Sequence, residues 1–202
     1  MSDDAALLGA WKAGDKVAGE RLVTRHYPAI ARFFETKVWV DAEDLAQRTF
    51  LRAYEGQWGG HGSVRSWLFG IARNVLLEQL RARTRDGRDS PDFHSHSIAD
   101  LQPGVATQAA RREDQRLLLR ALQTLPVETQ VLLELFYWEE LSVPELAVAL
   151  DVAEGTVKSR LHRARGHLRD VLASLPAHGD DDGSVAAALE AWLEGLRPFG
   201  AP

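Results

Sequence analysis

The residues best placed to do chemistry lie between Thr156 and Leu168, and that chemistry is recognition rather than bond-making. Thr156, Lys158, Ser159, Arg160, His162, Arg163 and Arg165 are interleaved with Val157, Leu161, Ala164 and Leu168. The apolar set is spaced i, i+4, i+7, i+11, the period of one helix face. The polar set is therefore turned outward as a row of cations and short hydrogen-bonding groups. Guanidinium and ammonium groups hold phosphate oxygens, and the same side chains with Ser and Thr read base edges in a major groove. A merely solvated basic helix is the plain alternative. The preceding residues argue against it. Ser142 with Glu145 three positions later is a capping box for a short helix whose Leu146, Ala147 and Leu150 point inward. Asp151 follows where the chain must reverse, and Asp tolerates the left-handed conformation better than most residues. Helix, tight turn and basic helix together make a helix-turn-helix.

A second constellation lies around residues 55–85. Gly56, Gly59, Gly60 and Gly62 mark an irregular loop, and Ser63 can cap the helix that follows. Val64, Trp67, Leu68, Ile71, Val75, Leu76 and Leu80 form its apolar stripe, while Arg65, Arg73, Asn74, Arg81, Arg83 and Arg85 project outward. Tryptophan and arginine beside a flexible loop suit single-stranded nucleic acid, where stacking and backbone attraction share the binding. Trp67 reads equally as a core residue.

Covalent and metal chemistry find no foothold. The chain has no cysteine, so it offers no thiolate, disulfide or cysteine zinc site. His94 and His96 lack carboxylate or cysteine neighbours at ligand spacing. Glycine-rich phosphate loops and nucleophile motifs are missing, and Glu134, Glu139 and Glu140 read as solvated helix positions. No enzymatic activity, metal or cofactor is expected.

The elements that must position these groups are helical throughout. Leu7, Leu8 and Trp11 share one face of a first helix; Val17, Leu22, Val23, His26, Tyr27, Ile30, Phe33 and Phe34 continue through a longer one, which Pro28 should kink or split. His26 reads as a half-buried packing residue. Asp41 can cap the next helix, with Leu45, Phe50 and Leu51 inward and Asp44, Gln47 and Arg48 as an exposed polar strip. Residues 86–110 lose all periodicity and read as a linker. From residue 111 the leucine-rich pattern resumes and leads, through a helix begun by Pro126, into the helix-turn-helix. After Pro176 an acidic, glycine-containing stretch precedes a short amphipathic helix with Val185, Leu189, Trp192, Leu193 and Leu196 on one face. That tail either folds back on the second domain or covers a binding surface. The expected fold is all-α: two small helical domains, 1–85 and 111–175, joined by a flexible linker at 86–110, with an extension at 176–202.

The net charge of −5 at first argues against nucleic acid. Cations, however, concentrate at residues 65–88 and 158–169, and acids elsewhere, so the local field favours two contacts with a phosphate backbone. No apolar run approaches the roughly 20 residues that span a bilayer, and the first residues are too acidic for a signal peptide. A soluble, cytoplasmic protein without membrane insertion is expected.

The words themselves carry a resemblance. GTVKSRLHRAR, and the order L-P-x-x-x-Q-x-x-L-L-x-x-F-Y-x-x-x-L-S before it, resemble the C-terminal region of bacterial RNA polymerase sigma factors of the extracytoplasmic-function (ECF) group. D-x-E-D-L-x-Q-x-T-F-L-x-A-Y at 41–54 resembles the segment with which that family docks on the clamp helices of the polymerase β′ subunit. S-W-L-x-x-I-A-R-N at 66–74 resembles the helix that recognises the −10 element and captures its melted strand. The resemblance implies a factor that binds polymerase core (β′ clamp helices and β flap) and promoter DNA, under the control of an anti-sigma factor. It implies contacts to the −35 element by Thr156, Lys158, Ser159, Arg160, His162 and Arg163. Contacts to the −10 element fall to His61, Ser63, Arg65, Trp67, Arg73 and Asn74, and contacts to polymerase to Asp41, Asp44, Leu45, Gln47 and Phe50. The family often carries Glu after the Gln, where this chain has Arg48, so no role passes to Arg48. A helix-turn-helix regulator that never joins the polymerase is the competing reading; it leaves 41–54 and the Trp/Arg helix without a purpose.

Overall fold

The computed structural model describes residues 3–38, 42–83, 91–101 and 120–174. Its helices run in the order α1 (Asp3–Lys12), α2 (Lys16–Glu35), α3 (Ala42–Glu55), α4 (Val64–Arg83), α5 (Ile98–Leu101), a helical turn at 120–123, then α6 (Val127–Tyr137), α7 (Val143–Leu150) and α8 (Glu154–Ser174). Among the described residues the sole departure toward β structure is an isolated antiparallel bridge between Ser97 and Pro126. The architecture is all-α.

The N-terminal half is built on α2. Asp15 caps it, its carboxylate accepting from the backbone amides of Val17 (2.9 Å) and Ala18 (3.1 Å). Leu22, His26, Ile30, Phe33 and Phe34 form its buried stripe, which packs against α3 and α4. Phe33 meets Phe34 and Phe69 edge-on at 5.3 and 6.0 Å between ring centroids. Helix α1 lies along α2 and is tied by Asp3 and Asp4 to Arg25, and by Asp4 to the buried His26 at 2.9 Å. Pro28 does not split α2. Its ring faces solvent, where the carbonyl it leaves without a donor can be hydrated, and the buried residues on either side hold the helix together.

The C-terminal half is α6, α7 and α8, with Leu132, Leu135, Leu146, Leu150, Val157, Leu161 and Leu168 closing one small core. The capping box on α7 is present. The Glu145 carboxylate accepts from the Ser142 backbone amide at 3.0 Å and from its hydroxyl at 2.8 Å. Asp151 ends α7 in the left-handed region, at φ 53° and ψ 52°.

The two halves pack on each other, and their buried side chains form one continuous core. Helix α4 lies along α7, and small residues permit the approach: a methyl group on Gly70 would stand 3.2 Å from the carbonyl oxygen of Ala149. Residues 91–101, the described part of the expected linker, are held as well. Phe93 and Ile98 are buried, the Arg81 guanidinium lies 5.0 Å over the Phe93 ring, and α5 falls inside the stretch expected to be irregular. The reason lies at the start of α6. Pro126 has no side-chain acceptor, so the carbonyls of His96 and Phe93 take the orphan amides of Val127 (3.0 Å) and Glu128 (3.2 Å). The tail at 176–202 lies outside the described residues.

Candidate nucleic-acid interface

Helix α8 presents the row expected of it. Val157, Leu161, Ala164 and Leu168 are buried, Lys158, Ser159, His162 and Arg163 are exposed, and Thr156 and Arg160 are half-exposed. The capping box and the left-handed turn at Asp151 set the angle at which α8 leaves α7. The described ion pairs all lie elsewhere, leaving the charges of Lys158, Arg160 and Arg163 uncompensated by any described carboxylate. Arg165 is different. Its Nε donates to the Tyr137 hydroxyl at 2.8 Å and its guanidinium lies over the rings of Phe136 and Tyr137, so it seals α8 to α6.

The residues expected to meet the −10 element divide into two groups. His61 and Asn74 are exposed. Ser63, Arg65 and Arg73 face the C-terminal half. Ser63 Oγ donates to Glu145 at 2.7 Å, and Arg65 donates to the carboxylate of Glu139 at 2.6 Å and also to its carbonyl. The Arg73 guanidinium holds Glu128 through Nε at 2.9 Å and through a second, shorter bond. Trp67 is half-buried, with the Lys12 ammonium 5.5 Å from its ring centroid. Ser63 caps α4 as expected, its hydroxyl accepting from the Ser66 amide at 3.1 Å.

On α3 the expected polymerase-facing set separates as well. Asp44 and Gln47 are exposed, whereas Leu45 and Phe50 are 0% and 5% exposed and belong to the core. They hold the helix in place from its inner face. Leu51, expected inward, is 57% exposed, and Tyr54 is 44% exposed. The spacing explains both: 44, 47, 51 and 54 are one helical face, and 45, 46, 49, 50 and 53 the opposite one. Asp41 lies outside the described residues.

Glu134 and Glu139, expected as solvated helix positions, are buried, whereas Glu140 is exposed as expected; Glu128 is buried as well. Glu139 bridges Arg32 at 2.8 Å and Arg65 at 2.6 Å. Glu134 pairs with Lys37, whose side chain is fully buried and also donates to the Phe33 carbonyl at 2.8 Å and the Thr36 hydroxyl at 2.9 Å. Burial pushes the Lys37 ammonium below its ordinary range, against the pull of Glu134. Burial pushes Glu145 up, but the hydrogen bonds from Ser63 and Ser142 outweigh it and its net shift is downward. Among the described residues no cluster of His, Asp and Glu could hold a metal ion, and no helix is long and apolar enough to cross a membrane.

Comparison with known proteins agrees with the division into two halves. The family model for sigma-70 region 2 matches residues 22–86 and that for sigma-70 region 4 matches residues 115–168. The ECF RNA polymerase sigma factor SigM of Mycobacterium tuberculosis is 35% identical over 176 residues, covering 85% of this chain and 86% of that protein. The RNA polymerase sigma-E factor of Streptomyces avermitilis is 33% identical over 138 residues, covering 67% and 73%. Among solved structures, CnrH in complex with the cytosolic domain of CnrY aligns with a TM-score of 0.62 at 24% identity, over 87% of this chain and 100% of that one. The sigma factor RpoE of Bartonella quintana, in complex with the anti-sigma factor NepR, aligns with a TM-score of 0.57 at 24% identity, over 78% and 98%. At those identities the two structures speak for the fold alone.

Proposed function

The chain belongs to the ECF family of RNA polymerase sigma factors, and from that membership we propose how its helices divide the work. It binds RNA polymerase core and directs transcription initiation at specific promoters. Residues 1–85 act as the core-binding and −10 domain, 86–110 as the linker, 111–175 as the −35 domain, and 176–202 as an extension of unassigned role. The bond-forming chemistry belongs to the polymerase. The chain supplies placement, and it works in the cytoplasm, where the polymerase is.

In this assignment α8 enters the major groove of the −35 element. Thr156, Lys158, Ser159, His162 and Arg163 face base edges, and Arg160 fixes the register on a phosphate. Helix α4 and the loop before it take the −10 element. His61, Ser63, Arg65, Arg73 and Asn74 hold the melted strand, with Trp67 at the margin as a stacking surface for a flipped base. Asp44 and Gln47 on α3 meet the β′ clamp helices, and α6–α8 rest on the β flap. An anti-sigma factor regulates the chain by covering these faces.

The observation that carries this reading is the outward row on α8, cationic and free of described carboxylate partners, set at a fixed angle by a capped helix and a left-handed turn. It is tested by binding of reconstituted holoenzyme to promoters carrying single substitutions in the −35 element. Lys158→Ala together with Arg163→Ala should lower affinity by a factor of about 10 to 100 on the preferred sequence and flatten the ranking among −35 variants. An unchanged ranking would remove α8 from base readout.

A further inference from the structure

The loop between α3 and α4, residues 56–63, presents His61 and leads into Arg65, yet it has little of its own to hold it. No described backbone hydrogen bond begins or ends within 57–62, and Gly60 and Gly62 take positive φ values of 77° and 68°. Trp58 packs against the core, but its indole N–H meets no described acceptor. The posture of such a loop is set mainly at its ends. Both ends meet one side chain. The Lys12 ammonium donates to the carbonyl of Gly56, where the loop leaves α3, and lies 5.5 Å from the ring centroid of Trp67, in the first turn of α4. A cation there complements the partial negative charge at the C-terminus of α3, and the indole face attracts it. Gly56 keeps the junction tight: a methyl group would stand 2.8 Å from the Arg52 carbonyl oxygen and 3.6 Å from the Trp67 ring. Lys12 is fixed in turn by its neighbour. Trp11 fills a notch at Gly19 on α2, where a methyl group would collide with the indole, and its ring lies 5.1 Å from that of Tyr54 near the end of α3. The packing of α1 therefore determines where the ammonium stands.

We propose that Lys12 is a positioning residue for the −10 loop: from α1 it ties the loop's entry to the helix that follows, so that His61 and the start of α4 meet the −10 bases in one geometry. This rests on the assignment of α4 and its loop to the −10 element and adds the side chain that sets their shape. Two other roles for a cation at this place are a direct contact with a phosphate and a contribution to folding alone. The three differ in what they do to sequence preference. A lost phosphate contact weakens binding to all −10 sequences alike. Lost stability weakens the use of both promoter elements together. A displaced reading loop narrows the differences among −10 sequences and leaves the −35 ranking intact.

The test uses holoenzyme reconstituted from the full chain and core polymerase, initiating on a promoter pool with a fixed −35 element and a randomised −10 element, and on a second pool with the reverse. Lys12→Met keeps an apolar stem and removes the donor and the charge. With it, the spread between preferred and disfavoured −10 sequences should narrow by about threefold or more, and the −35 ranking should stay as in wild type. Lys16→Met removes the same charge from the exposed start of α2 and should change neither ranking. Uniform weakening across −10 sequences, parallel loss at both elements or an unchanged −10 ranking overturns the proposal. The tie itself is read without DNA. The chain has no cysteine, so a nitroxide on His61→Cys reports the loop alone. Its motion should quicken by about twofold or more in the Lys12→Met background, and identical spectra overturn the positioning role. A wild type that does not discriminate among −10 sequences overturns instead the assignment of the loop to that element, and the nitroxide then decides the tie separately.

Discussion

Lys37 at the end of α2 and Glu134 in the middle of α6 form an ion pair with both side chains out of water, 0% and 3% exposed. They are 97 residues apart in sequence, and one belongs to each half of the molecule. Thr36 and Gln130 satisfy the remaining capacity of the Glu134 carboxylate, and the Phe33 carbonyl and ring receive the ammonium. Such an arrangement tolerates the loss of both charges better than the loss of one.

That asymmetry is measurable. Lys37→Met alone leaves a buried carboxylate without its cation and should cost about 3–5 kcal/mol. Lys37→Met with Glu134→Leu should recover most of that loss, because well-packed apolar residues can replace a buried pair at little net cost. Urea unfolding of wild type, the single variant and the double variant decides it. Equal stability of the single and double variants would show that Glu134 is not held by Lys37.

The two faces of α3 should respond differently. Leu45→Ala empties a core position and should cost about 2–5 kcal/mol of stability. Asp44→Arg changes an exposed position and should leave the melting temperature within the small range of surface substitutions, yet weaken association with polymerase core. Leu51→Ala should follow Asp44→Arg and not Leu45→Ala, since it shares the exposed face. Thermal melts beside core-binding titrations separate the two effects. A destabilised Leu51→Ala would contradict the exposure found here.

Acid should lower the stability of the fold through His26. Burial pushes the His26 imidazole below its ordinary value, with Arg65 and Arg25 adding to the shift and Asp4 opposing it. Between the folded value and the ordinary one, near 6.5, the unfolded chain binds more protons. The contribution is therefore full above about pH 6.5 and declines as pH falls from there toward the folded value. Melting of wild type should drop over that interval more steeply than that of His26→Gln. The subtraction isolates His26 from the six other histidines of the chain. Parallel pH profiles would remove it as the source.

Much of the interface was legible because local chemistry decides it. Ser142 with Glu145, Asp151 at the reversal and the apolar stripe of α8 are short-range features, and each appears where the spacing places it. The errors arise where tertiary contacts decide. Glu134 and Glu139 are polar and helical, and nothing within a few residues announces that Lys37, Arg32 and Arg65 will cover them. The linker read as irregular because Phe93 and Ile98 stand alone among polar residues. Their burial depends on the unsatisfied start of α6, about 30 residues further on. Leu51 was legible from spacing alone, since a strict helical period from Asp44 and Gln47 assigns it to the exposed face and not to the inward one expected.

Whether this chain gives RNA polymerase its promoter is read by run-off transcription from a promoter library. Core polymerase alone, the protein alone and the two together are compared, with wild type and with Lys158→Ala/Arg163→Ala. Specific transcripts should appear only when core and wild type are combined, starting downstream of a shared pair of elements, and should be lost with the double variant. A protein that binds promoter DNA by itself and yields no core-dependent transcript would contradict it.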